Sequence, residues 1–257
     1  MRIRDMVKNA AYRIGIDIRR AQPLPTSGDV PSVADAWREQ MRMLKRRNRP
    51  IIFDVGAHVG RTALRYKQMC PDAIVYCFEP IAESFRELKR NVGVQKDIFA
   101  FQWALGRSTR EACINVNRSL ATCSLLPTDS RASETWNGTD VTETVAQAPV
   151  TVRSLDEFLV EHPEIDRIDI LKMDVQGAEM EVLEGARETL RAGRVDLIFT
   201  EIILLPTYVG QSELCDYLRV LSEQGFGMHN MFNYCYTNDG QLNQLDILFR
   251  RGVNVGR

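Results

Sequence analysis

From residue 51 onward, short apolar runs alternate with stretches whose apolar residues recur every three or four positions. That is the grammar of strands separated by helices. Runs at 51–55, 73–78, 98–103, 168–173, 195–200, 226–229 and 245–249 predict strands. Helical spacing follows at 60–69, after Pro80 (tolerated in a first turn), at 178–191 and at 212–224. Ser154, with Glu157 three residues on, reads as a capping box that opens another helix. Repeated strand–helix units predict an α/β fold, a mainly parallel sheet with helices on both faces. Ligands of such sheets sit at the carboxyl ends of the strands, so functional residues are expected just after them.

Two regions break the rhythm. Ile3, Met6, Val7, Ala10, Ala11, Ile14 and Ile18 predict a first helix, residues 22–28 a linker, and residues 33–47 a second, basic helix stopped before Pro50. The division expected is a basic helical extension over 1–48 and a main domain over 49–257. Within that domain, polar and β-branched residues at about 107–150 suggest an insertion of short antiparallel strands or a flexible loop.

Composition adds little to this. With 44% hydrophobic and 26% charged residues the chain of 257 residues is an ordinary globular sequence, and its net charge of −1 gives no reason to expect nucleic acid as a partner. The six cysteines show no C-x-x-C spacing and read as reduced, mostly buried side chains, pointing to the cytoplasm. No apolar run is long enough to span a bilayer, and the N-terminus lacks a signal-peptide core. With three histidines and none beside a cysteine, no metal site is expected. Local charge is different: Arg38, Arg42, Lys45, Arg46, Arg47 and Arg49 face a single acid, Glu39. Such a run is a solvated face, a dock for anionic lipid at the membrane periphery, or a dimer or partner contact.

Candidate chemistry begins at the first strand. Asp54 ends it, and Gly56 and Gly60 bracket the turn through Ala57 and His58 into the next helix. Glycine lets backbone approach a ligand, and a helix N-terminus favours a carboxylate. Any strand–helix turn can contain glycine, but Glu79 directly after the second strand is placed to accept two ribose hydroxyls. S-adenosylmethionine carries both groups, with Asp54 suited to its ammonium or to an ordered water. The loop is not G-x-G-x-x-G, which disfavours a nicotinamide oxidoreductase. A non-catalytic cofactor-binding module is the other rival.

The fourth strand carries the most distinctive run. Alternation puts Lys172 and Asp174 on one face of a strand buried on both sides, where a lysine is costly unless paired. The pair either supports the sheet or makes Asp174 a site residue. Glu179, in the next helix's first turn, reads by itself as a solvated acid. Glu201 follows the fifth strand in the same relation as Asp174. Trp103 and Ala104 follow the third strand, beside an adenine ring or, for Trp103, in the core. His58 and His229 are weaker candidates. Residues 119–150, with small polar groups from Ser119 to Ser124, are either an acceptor lid or a plain surface hairpin.

These residues resemble the FkbM-type methyltransferases over about residues 50–250. The likeness rests on Asp54-Val55-Gly56-Ala57 with Gly60, Phe78-Glu79-Pro80, Ala104-Leu105-Gly106 and Ser154-Leu155-Asp156. It continues with Asp169-Ile170-Leu171-Lys172-Met173-Asp174-Val175-Gln176-Gly177-Ala178-Glu179, Thr200-Glu201 and Tyr208-Val209-Gly210-Gln211. The resemblance implies a Rossmann-like class I methyltransferase with a seven-stranded sheet ending in an antiparallel strand. It implies S-adenosyl-L-methionine as cofactor, held by Asp54, Gly56, Ala57, His58, Gly60, Glu79, Trp103 and Ala104. The acceptor would be a hydroxyl of a sugar, glycan or secondary metabolite, with Asp174 or Glu201 as general base and Lys172 holding Asp174. Two positions depart from the family: asparagine is usual at 58, and a polar residue is common at 103.

Overall fold

The strands that sit deepest are the ones whose sequence is apolar without alternation. Ile51–Val55 (β1) and Ile168–Met173 (β7) are buried at every position, as expected for strands covered by helices on both faces. In the computed structural model, which describes residues 35–44 and 47–252, they stand side by side at the centre of a seven-stranded sheet. The expected helix at 3–20, the linker at 22–28, Lys45 and Arg46 lie outside the described residues.

Around this pair the sheet adds Ile74–Phe78 (β2), Ile98–Phe101 (β3), Val195–Ile203 (β8), Phe226–Tyr236 (β9) and Leu242–Arg251 (β10). The order is β3-β2-β1-β7-β8-β10-β9. Pairings from β3 through β8 are parallel, whereas β10 runs antiparallel to both β8 and β9. The expected antiparallel closing strand is therefore present, slotted between its two predecessors. Helices Arg61–Met69 (α2), Ala82–Val92 (α3), Leu155–Glu161 (α5) and Leu214–Glu223 (α8) cover the sheet. Apolar clusters around Phe53, Phe158 and Ile247 and around Ile52, Tyr66 and Leu248 fill its two faces.

Register carries the function-bearing residues to one place. Asp54 pairs with Lys172, Lys172 with Phe199, and Glu201 with Asp246. Because side chains alternate, Asp54, Lys172, Asp174 and Glu201 share one face at the strands' carboxyl ends.

Residues 104–153 form a second sheet rather than a loose loop. Ala104–Leu105 (β4), Arg110–Asn117 (β5) and Thr144–Arg153 (β6) assemble in the order β4-β6-β5, with β5 antiparallel to β6. A short helix Ala132–Thr135 (α4) lies between β5 and β6.

Several details depart from the sequence reading. Helix Ala36–Leu44 (α1), expected within a basic extension, buries Ala36, Gln40 and Leu44 against the domain. Gln40 there accepts the Tyr66 hydroxyl at 2.7 Å. The single helix expected at 178–191 is two, Glu179–Glu184 (α6) and Arg187–Arg191 (α7). Between them, Gly185 passes so close to the Gly106 carbonyl that a Cβ would stand 2.0 Å from its oxygen. Half of the capping box forms: Ser154 accepts from the Glu157 amide at 3.2 Å, while the Glu157 carboxylate takes the Thr109 hydroxyl instead of reaching back. Asp156 caps α7, accepting the amides of Glu188 and Thr189 at 2.9 Å. All six cysteines are free; Cys77 and Cys123 are buried, but Cys113, Cys215 and Cys235 are exposed, so they are not mostly core residues.

Candidate active site

At the carboxyl ends of β1, β2 and β7 lies a cavity of about 240 Å³. Its floor is the turn after β1: Gly56, Ala57, His58, Val59, then Arg61 and Thr62 at the start of α2. The turn is held by its neighbours. Gly56 and Ala57 donate to the Phe78 carbonyl at 3.0 Å, and the His58 amide donates to Glu79 Oε2 at 2.9 Å. Helix α2 starts at Gly60 with no side-chain cap, which leaves the Arg61 and Thr62 N–H groups for an anion, while the Ala63 amide is directed at Asp54.

Glu79 is 5% exposed and lines the cavity. Its Oε1 accepts the Ile81 amide at 2.8 Å. Burial pushes its carboxyl up to about 7, against those two amide donors. Each oxygen keeps acceptor capacity for a hydroxyl donor. Phe78, Ile81, Ala104 and Leu105 form an apolar wall beside it, closed from above by Ile114, Leu120, Ala121, Cys123 and Leu125 of the second sheet and its loop. An uncapped helix start, a buried carboxylate and an apolar slot suit the carboxylate, ribose and base of S-adenosylmethionine.

The expected cofactor residues do not all reach this space. Gly56, Ala57, His58, Glu79 and Ala104 line it; Asp54, Gly60 and Trp103 do not. Asp54 is fully buried beneath the turn, and neither of its oxygens receives a well-aligned hydrogen bond. Its compensation is the Lys172 ammonium at 3.1 Å. Burial raises the Asp54 pKa against the pull of Lys172. Burial also works against the charge of Lys172, but Asp54 and Asp174 outweigh it and hold that pKa above its ordinary value. With two carboxylates flanking one ammonium, we take the Asp54–Lys172 pair as ionised. Trp103 instead stacks on Phe101 at 5.0 Å with the Arg153 guanidinium 4.9 Å from its ring centre.

On the acceptor side, Asp174 lines the cavity with its side chain 40% exposed and Lys172 Nζ 3.5 Å from Oδ2. Glu201 stands behind it, outside the lining. Burial pushes the Glu201 pKa well up, reinforced by Asp174 and Asp246. Gln176 joins the two acids: its Nε2 lies 2.9 Å from Asp174 Oδ1 and 2.7 Å from Glu201 Oε2. Gln244 adds a second amide at 2.9 Å from Glu201 Oε1.

Glu179 is not a solvated acid. It is 1% exposed, and its Oε1 accepts the amides of Val175 at 2.9 Å and Gly177 at 3.4 Å, tying down the turn after β7. Burial lifts it to about 7. His229 lies away from the cavity, 2.6 Å from Glu39 of α1. Two of the small polar groups at 119–124 are engaged internally: the Thr122 hydroxyl lies between the Val141 carbonyl at 2.7 Å and the Ser119 carbonyl at 2.9 Å, and that of Ser124 donates to the Gln176 carbonyl. Among the described residues no group of three or more His, Cys, Asp or Glu side chains is arranged to hold a metal ion.

Residues 54–228, from the buried Asp54 through both carboxylates of the site, match the model of the methyltransferase FkbM domain. The chain belongs to the FkbM methyltransferase family. FkbM proteins are S-adenosylmethionine-dependent methyltransferases of class I fold, and the cavity has the chemistry that donor requires. Among curated relatives, the 2-O-methyltransferase NoeI of Sinorhizobium fredii is 30% identical over 177 residues, 64% of this chain and 68% of that one. Methyltransferase 1 of Beauveria bassiana is 29% identical over 52% of this chain, which spans 57% of that protein's length. The hexuronic acid methyltransferase AglP of Haloferax volcanii is 27% identical over 67% of this chain and 68% of that one. A solved structure of magnesium protoporphyrin IX methyltransferase from Synechocystis aligns over 98% of both chains, with 12% identity and a TM-score of 0.44.

Proposed function

We propose that this FkbM protein transfers the methyl group of S-adenosylmethionine to a hydroxyl of a sugar, glycan or secondary metabolite. The observation that carries the reading is Asp174: a partly exposed carboxylate at the cavity wall, between a buried ammonium and the Gln176 amide. The relative named as a 2-O-methyltransferase supports an oxygen acceptor, and the one named as a hexuronic acid methyltransferase supports a sugar-derived one. The missing dinucleotide loop and the family match together argue against a nicotinamide oxidoreductase.

When bound, S-adenosylmethionine supplies an electrophilic methyl group. The chain's residues do the rest. The first turn of α2 and the turn after β1 hold the carboxylate end, and Glu79 accepts ribose hydroxyls. The apolar wall excludes water. Asp174 takes the acceptor's hydroxyl proton on its carboxylate as that oxygen attacks, with Lys172 holding Oδ2 in place. Glu201, bonded to Gln176 behind Asp174, is the alternative base. Positioning supplies much of the acceleration in such a displacement, and a general base typically adds about 10²–10⁴-fold.

The test is calorimetric titration with S-adenosylmethionine and NADH, then labelled methyl donor against a panel of glycosides and hydroxylated extracts. Heat with S-adenosylmethionine alone and label in a hydroxyl-bearing product are expected. Unimpaired turnover by both Asp174→Asn and Glu201→Gln would sink the assignment of the base.

Free cysteines fit a reducing compartment, and no helix among the described residues is long and apolar enough to cross a membrane. Docking of the basic N-terminal sequence on anionic lipid is tested by liposome co-sedimentation. Because α1 packs into the domain, the comparison chain keeps it and carries Arg38→Gln, Lys45→Gln and Arg46→Gln. Equal binding by both chains removes the membrane from consideration.

A further inference from the structure

Among the described residues Gln176 is the side chain that hydrogen-bonds both acids of the site, and its backbone is held in an unfavourable form to do so. Its φ is 57°, in the left-handed region that a residue with a Cβ enters at a cost. The turn is clamped on three sides. Glu179 binds the amides on either side of Gln176. The Ser124 hydroxyl donates to its carbonyl at 2.6 Å. The Tyr208 ring closes over Gly177, where a Cβ would meet Tyr208 Cδ2 at 3.0 Å.

The side-chain amide is oriented as well as placed. The Tyr208 hydroxyl stands 2.9 Å from Gln176 Oε1 and 2.8 Å from the Thr122 carbonyl. The Tyr208 hydroxyl has one proton for these two acceptors, so the amide's orientation follows from its other end, where two carboxyl groups in reach call for the donor Nε2. A flipped amide would set its oxygen against two carboxylates. The titratable groups facing the acids are Lys172 on β7, Asp54 on β1, Asp246 on β10, Glu179 on α6, His58 in the cofactor turn and Tyr208 itself. With Asp54 there are three carboxylates against one ammonium, so the two N–H groups of one NH₂, with the Gln244 amide on Glu201, are local support for negative charge at the pair.

We propose that Gln176 is a positioning residue: its side-chain amide, braced by the Tyr208 hydroxyl, holds the carboxyl groups of Asp174 and Glu201 in register. Through Ser124 and Thr122 the same residue ties the loop that covers the cavity to the acids beneath it. This rests on the reading of Asp174 or Glu201 as base, but the arrangement itself can be tested without an acceptor.

The experiment is ¹³C NMR titration of the full chain labelled at aspartate and glutamate carboxyls. Resonances are assigned with Asp174→Asn and Glu201→Gln, and folding is checked by S-adenosylhomocysteine calorimetry. In Gln176→Leu, the midpoints of both acids should rise by about one pH unit, a tenfold change, because the charged forms lose their donor. Tyr208→Phe, which keeps the ring over Gly177, should raise them by less and serves if Gln176→Leu does not fold. Unmoved midpoints in a folded variant overturn the proposal. If the midpoints move while Asp174→Asn and Glu201→Gln turn over normally, the base assignment falls and the positioning role stands.

Discussion

A Cβ atom at position 56 would stand 1.9 Å from the backbone oxygen of Asp174, so Gly56 and the end of β7 are locked together. The turn that binds the cofactor and the strand that carries the acid are thus one unit. The φ of 77° at Gly56 reinforces the demand for glycine. Gly56→Ala is expected to cost about 2–4 kcal/mol from overpacking and strain together. It should also weaken S-adenosylmethionine binding at least tenfold. Urea unfolding and calorimetry read the two effects; native values in both would show that the contact yields easily.

Lys172→Met leaves the fully buried Asp54 without its ammonium. Breaking a buried pair from one side costs about 3–5 kcal/mol. Adding Asp54→Asn removes the stranded charge and should restore more than half of the loss. A double-mutant cycle on thermal unfolding measures this. Additive losses would mean that the two residues are not coupled.

Glu79 and Glu179 give stability an unusual pH dependence. Each is held at about 7 in the folded chain against an ordinary 4.5. Between those values the folded state holds protons that the unfolded state has released, so stability falls as pH rises through this window and levels off above it. Hydroxyl donors on the ligand require ionised Glu79, so S-adenosylmethionine should bind more tightly at pH 8 than at pH 6 and release protons. Glu79→Gln should flatten the binding profile, whereas Glu179→Gln should change only the stability profile. Calorimetry in buffers of different ionisation enthalpy detects the protons; no release at pH 6.5 contradicts the prediction.

His58 is at φ 47°, a conformation in which asparagine and histidine are both enriched. That requirement accounts for either residue at this position without a catalytic role. His58→Asn is expected to keep donor affinity within about threefold, while β-branched His58→Val, which cannot sit there without strain, should lose about tenfold. A loss of turnover in His58→Asn with unchanged affinity would instead make the imidazole a participant. Burial and Arg61 lower its pKa, favouring the neutral ring.

Fold and site were legible to different depths. The central strands announce themselves because burial on both faces needs uninterrupted apolar runs, and alternation along β7 placed Lys172 and Asp174 on one face correctly. Asp54 was recognisable as important but not as Lys172's buried partner, since that depends on strand register. Glu179 sat where a helix dipole welcomes an exposed acid; only the folded turn reveals the amides that need it inside. The link from Gln176 to Glu201 and Tyr208 joins residues 25 and 32 positions apart, a closeness no local pattern encodes. Trp103 misled because β3 ends at Phe101, which turns the indole into the aromatic stack.

The interleaving of β10 between β8 and β9 has a consequence for how the chain matures. Among the described residues β9 bonds to no strand but β10, so it emerges before the strand it pairs with. Until β10 follows, the β8 edge that carries Glu201 stays open to other chains. The Glu201 edge of the site is therefore completed only when β10 pairs, whereas the cofactor turn, Glu79 and Asp174 rest on strands that precede it in the chain.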